Sequence, residues 1–322
     1  MFKKLNIRIG CGLLLVASTY TQANITPAEK RKVDFENAIE INADQPMTTA
    51  QKIVRLSATL LGAPYVDGNL GEGVQGKYDQ DPLSRFDEFD CMTYVEVVLA
   101  GAISHTSIDF LPNLLRIRYK NGQVSFTSRN HFASTDWLPN NRWMLQDITQ
   151  KIGGNATLSA KTVIDKRSWY QHLTLNRIKG AASEDQTKTT LLTMLKKEGE
   201  KFQPESVVTP YIPLSSVFQK NVMSSEEPLS LANSTINQAL LDRIPTGSVI
   251  SVVRPNYNIK RLIGTNINIT HQAIAIRKNG RLYIRNASLL KGEVVDQEFV
   301  HYFSRYLEST SLKGFNVQQP TF

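Results

Sequence analysis

The chain has 322 residues, 41% hydrophobic and 20% charged, which is ordinary globular composition and enough for one large domain or two small ones. The formal charge is +8, from 37 Lys and Arg against 29 Asp and Glu. Nucleic acid, lipid and carboxylate-rich peptides all suit that excess, but no dense basic run interleaved with aromatics marks a nucleic-acid binder, and no run of 18 apolar residues marks a lasting membrane span.

Lys3, Lys4 and Arg8 form a positive segment, Ile9 to Ala17 a short apolar core, and Thr21-Gln22-Ala23 a cleavage-like end. This is the layout of a secretory signal peptide over residues 1–23, cut after Ala23, leaving 24–322 as a single domain in the periplasm or outside the cell. Without those three positives the remaining chain carries about +5. A lipid anchor at Cys11 is disfavoured, because Arg8-Ile9 does not supply the small residues it needs. Once the leader is gone one cysteine is left, Cys91, and a lone thiol in an oxidising compartment calls for an explanation.

Thr26-Pro27-Ala28-Glu29 predicts a capped helix with Phe35 and Ile39 inward. Thr48 or Thr49 opens a second, with Ile53, Leu56 and Leu60 at helical spacing, closed by Gly62 and Pro64. Residues 65–86 read as a loop. Gly71-Glu72-Gly73-Val74-Gln75-Gly76 within it matches a dinucleotide fingerprint in letters, but has neither the strand before nor the helix after that would hold pyrophosphate. No cofactor is expected. Asp90 is placed to cap a helix from Cys91 to about Ile103, burying Val95, Val98, Leu99 and Ala102. Two Asn-Gly turns predict hairpins. One joins Ile117-Arg118-Tyr119 to Val124-Ser125-Phe126, and the other joins Ala273–Ile276 to Leu282–Ile284. Val249 to Val253 reads as a strand, and about 140–235 as a polar, helical insertion whose clearest helix is Thr189 to Lys197. The whole is an α+β pattern.

Cys91 falls on the first turn of its helix, where free N–H groups and the helix dipole favour an anion and lower a thiol's pKa. The alternative is an inert cysteine packed as a small hydrophobe. A thiol hydrolase needs a base. Of His105, His131, His172, His271 and His301, His271 begins a strand of the second hairpin. Counting back from Asn279-Gly280 sets it against Ser288, with Asn286 diagonal on the same face, where an amide oxygen can hold the imidazole N–H. That gives a Cys–His–Asn set. His131, in Ser128-Arg129-Asn130-His131-Phe132, is the rival base or a cleft wall. Arg129 is a candidate carboxylate anchor and Trp137 a candidate stacking ring. No His-Glu-x-x-His pattern or other ligand spacing points to a metal.

Phe89-Asp90-Cys91 with Met92-Thr93-Tyr94-Val95-Glu96, downstream of Gly62-Ala63-Pro64-Tyr65, resembles the NlpC-type, papain-like cell-wall peptidase superfamily, and within it a bacterial family described as N-acetylmuramoyl-L-alanine amidase-like. The resemblance continues through Ser128 to Phe132 with Asp136-Trp137, Thr209-Pro210-Tyr211-Ile212-Pro213, Ile244 to Ile250 and the His271–Ser288 segment. It implies a papain-like α+β core, with the nucleophile helix packed on a small antiparallel sheet, and Cys91, His271 and Asn286 as nucleophile, base and third polar residue. Relatives often carry His at the place of Asn286, Asp at Ser248 and Val-Gly at Gln272-Ala273. The implied activity is hydrolysis of the lactyl–L-alanine amide of peptidoglycan or muropeptides, with Tyr65, Arg129, His131, Trp137 and Tyr211 around the substrate. A stem-peptide endopeptidase and a peptidoglycan-binding protein with a silent site are the alternatives. Oligomeric state is left open.

Overall fold

The computed structural model describes residues 25–180, 185–221 and 228–322, so the leader reading of 1–23 lies outside the described residues. Four helices open the fold: α1 (Pro27–Asp44), α2 (Thr49–Thr59), α3 (Cys91–Ile103) and α4 (Ser107–Arg118). Their starts are written in side chains. Thr26 and Thr48 form reciprocal capping boxes with Glu29 and Gln51, and Asp90 Oδ1 accepts from Met92 N at 3.0 Å and Thr93 N at 2.7 Å.

The strands are β1 (Leu145–Asp147), β2 (Leu158–Ile164), β3 (Glu205–Pro213), β4 (Phe218–Lys220), β5 (Ser234–Ile236), β6 (Val249–Asn258), β7 (Asn266–Lys278), β8 (Arg281–Ser288), β9 (Glu293–Glu298) and β10 (Gly314–Pro320). Eight of them form one antiparallel sheet in the order β2-β3-β10-β6-β7-β8-β9, with β1 on β10, while β4 and β5 pair apart. The β7–β8 hairpin turns at Asn279 and Gly280, both at positive φ, with Lys278 opposite Arg281 and Ile274 opposite Arg285.

The sheet is covered on both faces. Ile274, Ile276 and Ala287 pack with Val95, Val98 and Leu99 of α3 and with Phe35, Ile53 and Leu56 of α1 and α2. On the other face Ala273, Ala275 and Ile284 pack with Phe299, Phe303 and Phe315. Alternation along β7 assigns each residue to one of these faces. Beneath α3, Glu96 and Arg118 form a buried ion pair, Nε to Oε2 2.7 Å, with Arg118 Nη1 also donating to Leu83 O at 2.5 Å.

Two expectations are corrected. The segment 117–126 is not a hairpin. Thr106 and Asp109 start α4, whose buried Phe110, Leu114 and Ile117 carry helix through Arg118, so the left-handed Asn121-Gly122 reverses the chain after a helix instead of between strands. The supposed helical insertion is mixed: it does hold a helix, Asp185–Gly199, but β2 and β3 from the same stretch extend the main sheet, paired from Leu158–Tyr211 to Ile164–Glu205. β2 alternates buried Ala160, Thr162 and Ile164 with more exposed partners, a period-two signal that the polar average conceals.

Candidate active site

The start of α3 meets the sheet at β7 and opens a cavity of about 310 Å3 lined by Cys91, His271 and Gln272. Cys91 is half-buried and is the one free cysteine among the described residues. The backbone N–H of Gln272, the residue after His271, acts to lower the pKa of the Cys91 thiol, and both residues line the same cavity. His271 Nε2 is hydrogen-bonded to Asn286 Oδ1 at 3.0 Å, leaving Nδ1 as the free ring nitrogen. Asn286 is itself buried, its Nδ2 donating to Gln297 Oε1 at 3.3 Å, and the Tyr302 ring lies nearly parallel to the imidazole at 6.3 Å. Thiol, imidazole and amide thus occupy a supported arrangement with one nitrogen spare for a proton.

The electrostatics differ from the sequence expectation for the thiol. Loss of water, followed by the negative charge of neighbouring Asp90, pushes the Cys91 thiol up to about 12, and the Gln272 N–H offsets only part of this. Burial likewise depresses His271 to about 4 against the favourable contact with Asn286. The helix start therefore places Cys91 without ionising it. Burial thus favours the neutral form of both the thiol and the imidazole.

The remaining predicted residues separate. Tyr65 is half-buried beside Cys91, its phenol pushed up chiefly by burial and then by the Cys91 and Asp67 charges. His131 lines the cavity, but its Nε2 is bonded to Phe126 O at 2.7 Å and its ring is packed between Phe126 and Trp169, each 4.7 Å away, with burial holding it well below its usual pKa. Arg129 lines the cavity too, yet it donates to Leu70 O and lies 3.8 Å from Asp79 and 4.0 Å from Glu72. It ties down the glycine loop instead of standing free for a ligand. Trp137 and Tyr211 are corrected: Trp137 is 0% exposed in the core, Tyr211 is 7% exposed beside Ala160 and Val253, and neither lines the cavity. Trp137 closes a π-helical turn, Ala133–Trp137, that also buries Ala133 and Asp136.

An aromatic ring that does line the cavity is a largely buried one the sequence reading missed. Trp169, from the helix Lys166–His172, lines the cavity with Ile164, Arg177, Ile263, Ile267 and Ile269. The segment 158–178 thus builds the wall facing Cys91, and no local motif announced it. The glycines of 71–76 serve close backbone approach: a Cβ on Gly71 would lie 2.6 Å from Asp79 O, and Glu72 N and Gly73 N donate to Asp79 O and Asp81 O. Ser248 and Gln272 are buried, and Gln272 Nε2 donates to Ser251 Oγ at 3.4 Å. Among the described residues no His, Cys, Asp and Glu cluster has metal-binding geometry, and no helix is long and apolar enough to cross a membrane.

Residues 55–308 match a family described as N-acetylmuramoyl-L-alanine amidase-like. A crystal structure of a protein from Legionella pneumophila str. Philadelphia 1 is similar at 34% identity, covering 89% of this chain and 94% of that one, with a TM-score of 0.81. An N-acetylmuramoyl-L-alanine amidase from Bacteroides uniformis is similar in fold at 20% identity, over 84% of this chain and 99% of that one, TM-score 0.54. A putative xylanase from Bacteroides fragilis shares the fold at 23% identity, over 82% and 98%, with the same TM-score of 0.54. No curated protein matches.

Proposed function

The chain belongs to the N-acetylmuramoyl-L-alanine amidase-like family, and from that premise we propose that it is a secreted, periplasmic, cysteine-dependent hydrolase with a papain-like, NlpC-type core, cutting the amide between the lactyl group and L-alanine in peptidoglycan or muropeptides. The observation that carries the reading is that His271, which shares a cavity with Cys91, is held from behind by a hydrogen bond to buried Asn286. Asn286 holds Nε2, so Nδ1 takes the thiol proton as sulfur attacks the substrate carbonyl. The Cys91 N–H, on the first helical residue and without an intrahelical acceptor, faces the developing oxyanion. The imidazolium then protonates the departing amine of L-alanine. Water, deprotonated by the same imidazole, cleaves the thioester and restores the thiol. Trp169 and the isoleucine wall bound the space for the substrate, and Tyr65 flanks the nucleophile.

The same thiol chemistry serves a stem-peptide endopeptidase, and the family alone does not separate the two. Mass spectrometry of purified muropeptides after incubation reads the cut bond. Intact stem peptide with a free L-alanine amine supports the amidase, and L-Ala-D-Glu dipeptide alone moves the assignment to the endopeptidase. A peptidoglycan-binding role with a silent site is favoured by the raised thiol and depressed imidazole. Binding without any product identifies it.

A further inference from the structure

The cavity carries two guanidinium groups with opposite commitments. Arg129 Nη1 donates to the Leu70 carbonyl and lies 3.8 Å from Asp79 and 4.0 Å from Glu72. Arg177 lines the same cavity, is exposed, and among the described residues its guanidinium has neither an ion pair nor a hydrogen bond. Its backbone is nevertheless fixed. It closes the turn Leu175–Arg177, and two residues on Lys179 N donates to Tyr78 O at 2.9 Å while Lys179 Nζ donates to Gly68 O at 2.7 Å. The Arg177 side chain lies along the loop before the nucleophile, where a Cβ on Gly68 would sit 3.3 Å from Nη1.

Three of the four carboxylates that line the cavity are committed elsewhere. Glu96 is paired with Arg118, Asp79 with Arg129, and Asp90 caps α3. Asp67, on the same loop as Gly68, also lacks a partner and is not ion-paired with Arg177. An unpaired guanidinium held at a wall of Trp169 and isoleucines is suited to a carboxylate, which it binds through parallel N–H donors. Arg177 and Cys91 line one cavity of about 310 Å3, so the carboxylate belongs near the cut bond, and because the carboxyl of L-alanine is tied up in a peptide bond the second stem residue is the nearest to carry a free one.

We infer that Arg177 recognises the free α-carboxylate of the second stem residue, making the site selective for D-glutamate over its carboxamide form. This rests on the muropeptide reading above. The test uses the full chain with two probes, muramyl-L-Ala-D-Glu and muramyl-L-Ala-D-isoglutamine, which differ in one group. The expected wild-type preference in kcat/KM is about tenfold for the acid, the scale of one charge-assisted contact. Arg177→Gln collapses that ratio toward one, mainly through KM for the acid, and Arg177→Lys restores part of it. An unchanged ratio in Arg177→Gln, or equal losses on both probes, overturns the assignment. If the wild-type protein cuts neither probe, the hydrolase reading falls. Calorimetric binding of the same two probes then decides on Arg177, and the same acid preference in wild type and Arg177→Gln, or none in either, overturns it.

Discussion

Asn286→Ala removes the acceptor of His271 Nε2 and little else. The amide is 1% exposed, accepts at 3.0 Å from the imidazole, and is anchored from behind by Gln297 Oε1 at 3.3 Å. Truncation leaves a ring N–H facing a dry pocket, a loss of about 1–3 kcal/mol for an unsatisfied buried donor, and frees the ring to rotate away from the thiol. The Tyr302 ring, nearly parallel at 6.3 Å, restrains only one direction of that rotation. At 1.36 kcal/mol per decade the expected fall in kcat/KM is roughly 10- to 100-fold. The assay is turnover of a soluble muropeptide at pH 7, with iodoacetamide labelling of Cys91 in parallel to show that the thiol is intact and reachable. Asn286→His, which restores a ring nitrogen as acceptor, retains more activity than Asn286→Ala. Wild-type turnover in Asn286→Ala, within twofold, refutes the orienting role.

Other consequences are equally direct. Because the thiol is pushed up to about 12, its alkylation rate should climb about tenfold per pH unit from 7 to 10, and a rate already level near pH 7 would reveal an ion-paired thiolate instead. His271 is depressed from 6.5 to about 4 on folding, so the unfolded chain binds the proton more readily. Its contribution is complete above pH 6.5 and is lost as pH falls through 4, about 3 kcal/mol in all. Urea midpoints at pH 7 and pH 4 should therefore converge in His271→Ala relative to wild type, and an identical acid loss in both contradicts this. Glu96→Leu strands the buried Arg118 cation and should cost about 3–5 kcal/mol in denaturant unfolding, and a loss below 1 kcal/mol would show the pair to be dispensable. Trp137→Ala should destabilise by about 3–5 kcal/mol as a core deletion, and a selective rise in KM with unchanged stability would return the indole to the cleft.

Local signals in the sequence were legible where one short segment decides the outcome. Asp90 predicts both the start of α3 and the placement of Cys91, because an N-cap is chosen by its own next three residues. The Asn279-Gly280 turn sets the β7–β8 register, and that register brings Asn286 to His271. The Asn121-Gly122 turn misleads because the same left-handed pair also ends helices, and the capped, amphipathic Ser107–Arg118 segment prevails over it. The polar neighbours of Trp137 suggest a surface loop, yet the ring lies in the core cluster at the end of a π-helical turn, a placement set by distant packing partners. Trp169 and Arg177 escaped notice because their place on the cavity depends on β2 and β3 joining a sheet whose other strands lie far along the chain. The upward push on the thiol is hidden from the sequence for a related reason: helix position is local, but burial belongs to the whole fold.

The central claim is that the Cys91 thiol cuts a muropeptide amide. The most direct measurement compares purified wild-type and Cys91→Ser protein on the same muropeptide, following the newly freed amine by mass spectrometry. Loss of at least about 1,000-fold in turnover, with an unchanged unfolding midpoint, is the predicted result. Turnover by Cys91→Ser at the wild-type rate would contradict it.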